Sequence, residues 1–388
     1  MTSMKILEVS PYFLPHEGGI ERYVFQLSRD LTKEGHKVVV CSSMIPKTAK
    51  FHEKMNGFDV YRFPTFMTPL GNPISFDLVK NIIPFLNTCD LINCHDEHGF
   101  TSNIVAFAKL LKFTRKPVVL TSHGCLFDPH ATDLDFIGSI YDRSLGTLTF
   151  KMATTIIALS SLDKEYITKI SRINSQRIKV IPNAIDPERY NIDVDPTSFI
   201  NKYRLKNKKI ILFVGSLIER KGVQYLIAAA PSVIKNIREV KFVVVGSGHY
   251  KKNLESRVRE LGLGECFVFT GRISDEDLMR AYKACDMFVL PSLVEGVPSV
   301  IQEALLFSKP VISFDLPGIH EYFNECVTLV PPANSTMLTR AILHILKDED
   351  YARKLALKGR HLILNHLNWK SVFRAITSLY RDTLNMLT

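Results

Sequence analysis

Two glutamates eight residues apart, Glu295 and Glu303, bracket the turn Gly296-Val297-Pro298-Ser299 in the run LPSLVEGVPSVIQE. Pro298 suits the first turn of a helix, which leaves Glu295 in the preceding loop and places Glu303 just over one turn inside. A carboxylate inside the helix can accept both hydrogens of a ribose diol, while one in the loop can bond sugar hydroxyls. The backbone N–H groups of residues 296–299, with the helix dipole behind them, would hold anionic or hydroxyl groups. Two glutamates at this spacing also occur by chance, so the neighbouring motifs decide the reading.

Glycines supply the next pattern. Gly18-Gly19 opens a helix after the first strand-like run, where bare backbone can lie against a phosphate; a tight turn explains the pair equally well. Gly215-Ser216 begins a similar turn further on, followed by Arg220, Lys221 and Gly222. Lys221, at a helix start, would neutralise a leaving diphosphate, or would be an ordinary solvated charge. Gly246-Ser247-Gly248 reads as a structural strand-end turn. His123, in Ser122-His123-Gly124, ends another strand-like run and would face a cleft between domains, where an imidazole can bond a sugar hydroxyl; strand-end histidines are also commonly structural. His95 and Asp96 end a strand in the same way.

Asp-x-Asp segments at residues 133–135, 193–195 and 275–277 raise the question of a divalent ion. The last follows Ser274 and reads as a helix capping box, and the other two lie in polar links without a phosphate loop beside them. No metal site is expected, since cations such as Lys221 can do an ion's electrostatic work.

These residues need a scaffold. Short β-branched apolar runs alternate with helix-period segments, which predicts an α/β protein of parallel strands and crossover helices. Strands are expected at 6–10, 37–41, 60–63, 91–95, 118–122, 155–159 and 178–181, forming one doubly wound sheet. Between the first two, Ile20, Val24, Leu27 and Leu31 recur at helical spacing before Gly35 supplies a left-handed stop. The same order restarts at 209–214, with a helix at 223–233 and strands at 242–245 and 287–290. Two Rossmann-like domains follow, joined near 182–196 where Pro, Asn and Asp cluster. A final helical stretch at 369–387 either caps the second sheet or crosses back to the first domain.

The bulk properties agree with that organisation. A chain of 388 residues is long enough for two domains, and 46% apolar with 23% charged residues excludes disorder and coiled coil. The formal charge of +10 favours anionic partners, but no dense basic run with interleaved aromatics points to nucleic acid. Seven scattered cysteines without a C-x-x-C pair suggest neither zinc nor redox work. With no signal-peptide pattern and no apolar stretch of roughly 18 residues, a cytoplasmic location is expected, with the inner membrane face open to it. Basic first-domain helices could rest on anionic lipid, giving a peripheral membrane contact. The stretch 58–73, with Tyr61, Phe63, Phe66, Met67 and Leu70 beside Arg62, either packs on the core or faces an acceptor.

Taken in order, Gly18-Gly19-Ile20-Glu21-Arg22, Ser122-His123-Gly124, Ile181-Pro182-Asn183-Ala184-Ile185-Asp186, Lys221-Gly222, Thr270-Gly271-Arg272, Ala284-Cys285-Asp286 and the Glu295-to-Glu303 motif span nearly the whole chain. The combination resembles the family-4 glycosyltransferases, a retaining family with the GT-B fold, and Trp369 and Tyr380 are similar to its crossover helix. The resemblance implies two Rossmann-like domains facing a central cleft, with residues 1–184 plus 371–388 on the acceptor side and 185–370 binding a nucleotide-sugar donor. It implies that Lys221 binds the diphosphate, Glu295 the sugar and Glu303 the ribose. Gly18 and Gly19 would contribute N–H groups, His123 would approach the transferred sugar, and Arg272 and Ile273 would meet the base largely through backbone. Two positions depart from the family pattern. Ser216 stands where an Arg is usual, so one expected cation is missing unless Arg220 reaches in, and Ala184 replaces a frequent Gly. The implied activity is retaining transfer of a hexosyl group from a nucleoside-diphosphate sugar to a glycan, lipid-linked or small-molecule hydroxyl, without cofactor or metal. A sugar-nucleotide epimerase of the same fold, or a catalytically weak donor-binding protein, is the alternative.

Overall fold

The computed structural model describes residues 3–16, 18–124 and 142–386. Residues 133–135, one of the Asp-x-Asp segments considered as an ion site, lie outside them. The chain forms two compact units, Met1–Pro182 with Phe373–Thr388, and Asn183–Val372.

The first unit contains β1 (Lys5–Ser10), α1 (Gly19–Lys33), β2 (Lys37–Met44), β3 (His52–Met55), β4 (Phe58–Pro64), α2 (Phe76–Thr88), β5 (Leu91–His95), α3 (Phe100–Leu110), β6 (Val118–Thr121), α4 (Thr147–Met152), β7 (Thr155–Ala158), α5 (Ser161–Ser171) and β8 (Ile178–Val180). Its sheet runs β3-β4-β2-β1-β5-β6-β7-β8. Pairing is parallel except at the β3–β4 edge. β3 was not expected from the sequence: its half-exposed residues His-Glu-Lys-Met carry no apolar run to read. The other strands are read directly by their apolar residues, because a sheet covered on both faces buries nearly every position along them. Leu7, Val9, Ile92, Leu120 and Ile156 lie in one buried cluster with Leu78, Ile82 and Leu86 of α2. The helix α1 ends as its sequence dictates, with Gly35 at φ +88° donating its N–H to the Thr32 carbonyl.

The second unit contains α6 (Thr197–Lys202), β9 (Lys209–Val214), α7 (Val223–Asn236), β10 (Val240–Val245), α8 (Lys251–Glu260), β11 (Phe267–Gly271), α9 (Asp275–Ala284), β12 (Met287–Leu290), α10 (Ser299–Leu306), β13 (Val311–Phe314), α11 (Pro317–Phe323), β14 (Thr328–Val330), α12 (Ser335–Lys347) and α13 (Glu349–Asn365). All its strands pair in parallel in the order β11-β10-β9-β12-β13-β14. The last helix, α14 (Trp369–Asn385), begins in the second unit and contributes its remaining turns to the first. Thr383 on it bonds Thr155 of β7 at 3.0 Å.

In each sheet the strand that opens the unit is flanked by one strand that follows directly and one that comes later. The chain therefore leaves in opposite directions between β1 and β5, and between β9 and β12. Such switch points open a crevice at the carboxyl ends of the strands, where doubly wound sheets bind ligands. Among the described residues no helix is long and apolar enough to cross a membrane.

Candidate active site

At the second switch point, Lys221 and Glu295 come together. Lys221 Nζ lies 2.5 Å from Glu295 Oε1, with the two side chains 18% and 11% exposed. The pair is set by glycine chemistry. Lys221 does not begin a helix as expected but ends a short 3-10 turn, Glu219–Lys221, and Gly222 follows at φ +72° before α7. A Cβ on Gly222 would sit 1.7 Å from the Pro291 carbonyl oxygen, so only glycine lets this turn lie on the loop after β12. The Leu293 N–H donates to the Arg220 carbonyl at 2.8 Å and fixes the two segments together.

Pro298 is the residue before α10 rather than part of its first turn, with Ser299 the first helical residue. Glu303 is thus one turn inside, and it is 5% exposed. Its two oxygens accept hydroxyl hydrogens from tyrosines that sequence reasoning did not single out. Tyr282 OH lies 2.8 Å from Oε2 and Tyr190 OH 3.1 Å from Oε1. Burial, reinforced by the Glu303 carboxylate, holds the Tyr282 hydroxyl well above its ordinary pKa, so it remains a donor. Beside Glu303, Gln302 brackets the inter-unit segment, accepting the Ile185 N–H at 3.1 Å and donating to the Asn183 carbonyl at 3.0 Å. Val297 is buried, and Gly296 packs its carbonyl against Gly318 of α11, where a Cβ would meet it at 2.4 Å.

Packing accounts for two further glycines of this unit. A Cβ on Gly246 would lie 1.9 Å from the Gly215 carbonyl, and one on Gly248 2.3 Å from that of Leu217. Ser216 and Arg220 are exposed. Arg272 is exposed too, donating from Nε to Ser247 Oγ at 3.1 Å, with Ile273 half-buried beside it.

The first unit behaves differently. Gly18 has an extended backbone, φ −161°, that any residue can adopt, and a Cβ on Gly19 would meet nothing within 4 Å. The tight-turn explanation for this pair therefore fails at Gly19. Beneath Gly18 lies the buried Glu21 carboxylate, 2.6 Å from His16 Nδ1.

His123 is half-buried at the end of β6, with its Nε2 3.0 Å from Nδ1 of the fully buried His95. Desolvation, aided by His95 and opposed by Asp96, pushes the His123 imidazole down to about 3, so it is neutral at physiological pH. Next to it, burial and Asp96 raise the Glu97 carboxyl to about 7 against the pull of His98 and the Ser122 hydroxyl. Asp96, Glu97 and His98 bring one ligand atom each within 4.8 Å of one another. Hydrogen bonds account for that grouping, including His98 N–H to Asp96 at 2.9 Å and Ser122 Oγ to Glu97 at 3.1 Å, and it is not assigned as a metal site. Of the Asp-x-Asp segments, Asp195 accepts from Thr197 N–H and hydroxyl, and Ser274 caps α9 through the Asp277 N–H.

The 58–73 stretch splits between its two readings. Phe58, Val60, Arg62 and Phe63 are buried, whereas Phe66 and Met67 are 63% and 48% exposed. Phe66 packs on the equally exposed Phe76, ring centroids 5.3 Å apart. The loop is tied to the segment after β5 by Asn72, which donates to the His98 carbonyl at 2.7 Å and accepts the Phe100 N–H at 2.9 Å.

Two doubly wound units, one with a cation and two carboxylates at its switch point, define a two-Rossmann protein of the GT-B class. The family model described as glycosyltransferase family 4 matches residues 17–189, and that of glycosyl transferases group 1 matches residues 196–362. The chain belongs to this family of group 1, family-4-type glycosyltransferases and is an enzyme that transfers sugars. It is 26% identical to an uncharacterized glycosyltransferase of Methanocaldococcus jannaschii, over 99% of this chain and 100% of the relative. It is 24% identical to a GDP-mannose-dependent α-(1-6)-phosphatidylinositol monomannoside mannosyltransferase of Mycolicibacterium smegmatis, over 94% and 95% of the two chains. Among solved structures, HepE of Anabaena in complex with UDP-glucose superposes with a TM-score of 0.81 at 21% identity, covering 98% of this chain and 100% of the other.

Proposed function

We propose that the enzyme moves a hexosyl group from a nucleoside-diphosphate sugar to a hydroxyl of a glycan, lipid-linked or small-molecule acceptor, retaining the anomeric configuration and requiring no metal ion. The observation that carries this reading is the Lys221–Glu295 pair at the β9–β12 switch point, with the tyrosine-held Glu303 one turn inside the helix that follows. A diphosphate offers Lys221 more negative charge than one carboxylate does, so a bound donor takes over the ammonium and releases Glu295 to accept from sugar hydroxyls. Glu303 accepts from a ribose diol. Charge growing on the departing diphosphate is then met by Lys221 and backbone N–H groups, which is where most of the rate enhancement would arise. Gly18 and Gly19 supply N–H groups, and His123 contacts the transferred sugar.

The UDP-glucose held by the Anabaena protein and the GDP-mannose dependence of the mycobacterial relative support the donor class without choosing a base. The exposed Phe66, Met67 and Phe76 favour an acceptor with a lipid portion, in line with the phosphatidylinositol monomannoside in that relative's name and with a peripheral position on a membrane. Mass spectrometry of reactions combining UDP-glucose, UDP-N-acetylglucosamine, GDP-mannose or an ADP-sugar with extracted lipid and glycan acceptors tests the reading. Transfer that persists in EDTA and gives a product of unchanged anomeric configuration is expected. An isomerised sugar nucleotide formed without any acceptor would establish an epimerase instead.

A further inference from the structure

Below His123 the first sheet contains a chain of buried polar groups that packing alone does not call for. Glu8 lies in the middle of β1 and His95 at the end of β5, and neither is exposed at all. Thr121 Oγ1 donates to Asn93 Oδ1 at 3.0 Å, and the NH2 group of that amide is turned toward β1. Asn93 Nδ2 in turn donates to Glu8 Oε2 at 2.8 Å, so that oxygen is an acceptor. His95 Nε2 lies 2.7 Å from the same oxygen and 3.1 Å from Asn93 Nδ2; the shorter contact is to the acceptor, and a proton on Nε2 makes it a hydrogen bond. The other Glu8 oxygen faces the Tyr380 hydroxyl of α14 at 3.5 Å. With Nε2 of His95 protonated, the neutral form of that ring has a lone pair at Nδ1, which faces His123 Nε2 at 3.0 Å. Against that form His123 closes the link by donating from Nε2, which leaves its Nδ1 bare. Nδ1 has no hydrogen-bond partner among the described residues, and Tyr23 meets the His123 ring edge-on at 5.0 Å and limits its rotation.

We propose that Glu8 and His95 are positioning residues for transfer: through the Glu8–His95–His123 chain they hold His123 in the Nε2–H tautomer, so that it presents Nδ1 as a hydrogen-bond acceptor to a substrate hydroxyl. The proposal rests on the reading that His123 meets the sugar substrates. Its chemistry is that of a carboxylate fixing an imidazole at one nitrogen so that the other has a single role. A buried carboxylate with several donors is costly to assemble for fold alone, because an apolar residue would fill the same space without them.

The tautomer can be read without any donor, by long-range proton–nitrogen correlation on protein labelled with nitrogen-15 at histidine, His123 being assigned by its loss in His123→Gln. The expected wild-type spectrum has His123 protonated at Nε2 and bare at Nδ1. In Glu8→Gln, which preserves shape, and in His95→Phe, which removes the acceptor, the signal should move to a mixture of both tautomers. In both variants, kcat for the best-used of UDP-glucose, UDP-N-acetylglucosamine and GDP-mannose should fall about tenfold to a hundredfold. The donor KM should stay within about twofold, the mark of a lost transition-state interaction rather than a damaged donor site. Circular dichroism and melting temperature separate this from misfolding. An Nδ1–H tautomer in the wild type, an unchanged His123 signal in both variants, or a changed tautomer with undiminished kcat would each overturn the proposal. Failure of the donor reading looks different: wild-type protein with the expected tautomer and no transfer from any of the nucleotide sugars.

Discussion

The two switch points solve the placement of charge in opposite ways. Between β1 and β5 the ionisable groups lie inside the protein, and uncharged donors such as Asn93 and Tyr380 join the histidines around the Glu8 carboxylate. Between β9 and β12 the charges stand at the rim and neutralise each other directly as Lys221 and Glu295. The glycines divide by cause as well. In the second unit Gly222, Gly246, Gly248 and Gly318 are each required by a backbone carbonyl pressing where a Cβ would go, and Gly262 and Gly271 by positive φ, whereas Gly19 and Gly264 have neither a close neighbour nor a positive φ. Glycine that packing or backbone geometry requires reports on the fold; at Gly19 the explanation left to test is something that approaches the backbone.

That contrast can be broken at several points. Removing the rim cation should have the largest effect: Lys221→Ala is expected to lower transfer about 100- to 1,000-fold with little change in melting temperature, measured as kcat/KM for the best donor. Full activity in that variant would end the diphosphate role. Gly222→Ala attacks the fold instead, and should cost at least about 2 kcal/mol in urea denaturation, from positive φ together with the clash at Pro291. An unaltered denaturation midpoint would show that the turn does not lie on the β12 loop as described.

The buried end of the first sheet is probed by Glu97→Gln. Because its folded pKa, about 7, exceeds the ordinary 4.5, the folded state holds a proton that the unfolded chain has already released. Wild-type stability should therefore fall as pH rises through the window from about 4.5 to about 7 and level off above it. The variant lacks this slope, so the difference in melting temperature should move in its favour across that window. Parallel curves would place Glu97 in a more hydrated setting. The smallest effect on stability belongs to Gly19→Ala, within about 0.5 kcal/mol, since nothing stands where the methyl goes. Isothermal titration with the donor should nevertheless register weaker binding. Unchanged affinity would return the glycine pair to a turn with no further role.

The sequence made the parallel strands legible because each is a short apolar run buried on both faces, and Gly35 marked its helix stop for a stereochemical reason. It made Lys221, Glu295 and Glu303 legible through their order along the chain. The partners of those residues were not legible. Tyr190 and Tyr282 lie 113 and 21 residues from the Glu303 they hold, and a tyrosine in a link or a helix looks like any other until the fold closes. Glu8 is harder still, one acid among Ile6, Leu7 and Val9 of β1, readable only as an anomaly against the rule that lone carboxylates avoid the core. His95 was visible as a strand-end histidine, but its use depends on β1 and β6 flanking β5, which is a property of sheet order.

The last helix bears on how the molecule is made. Tyr380 and Thr383 complete contacts with β1 and β7, strands that leave the ribosome long before these residues are synthesised. Throughout translation of the second unit, the Glu8 carboxylate lacks its Tyr380 neighbour and the sheet lacks the packing of α14. The second unit, whose sheet is formed entirely from residues within Asn183–Val372, has no such wait. The half that is synthesised first is thus the half that finishes last, so a nascent chain halted before α14 exposes an unfinished first unit to proteases and chaperones.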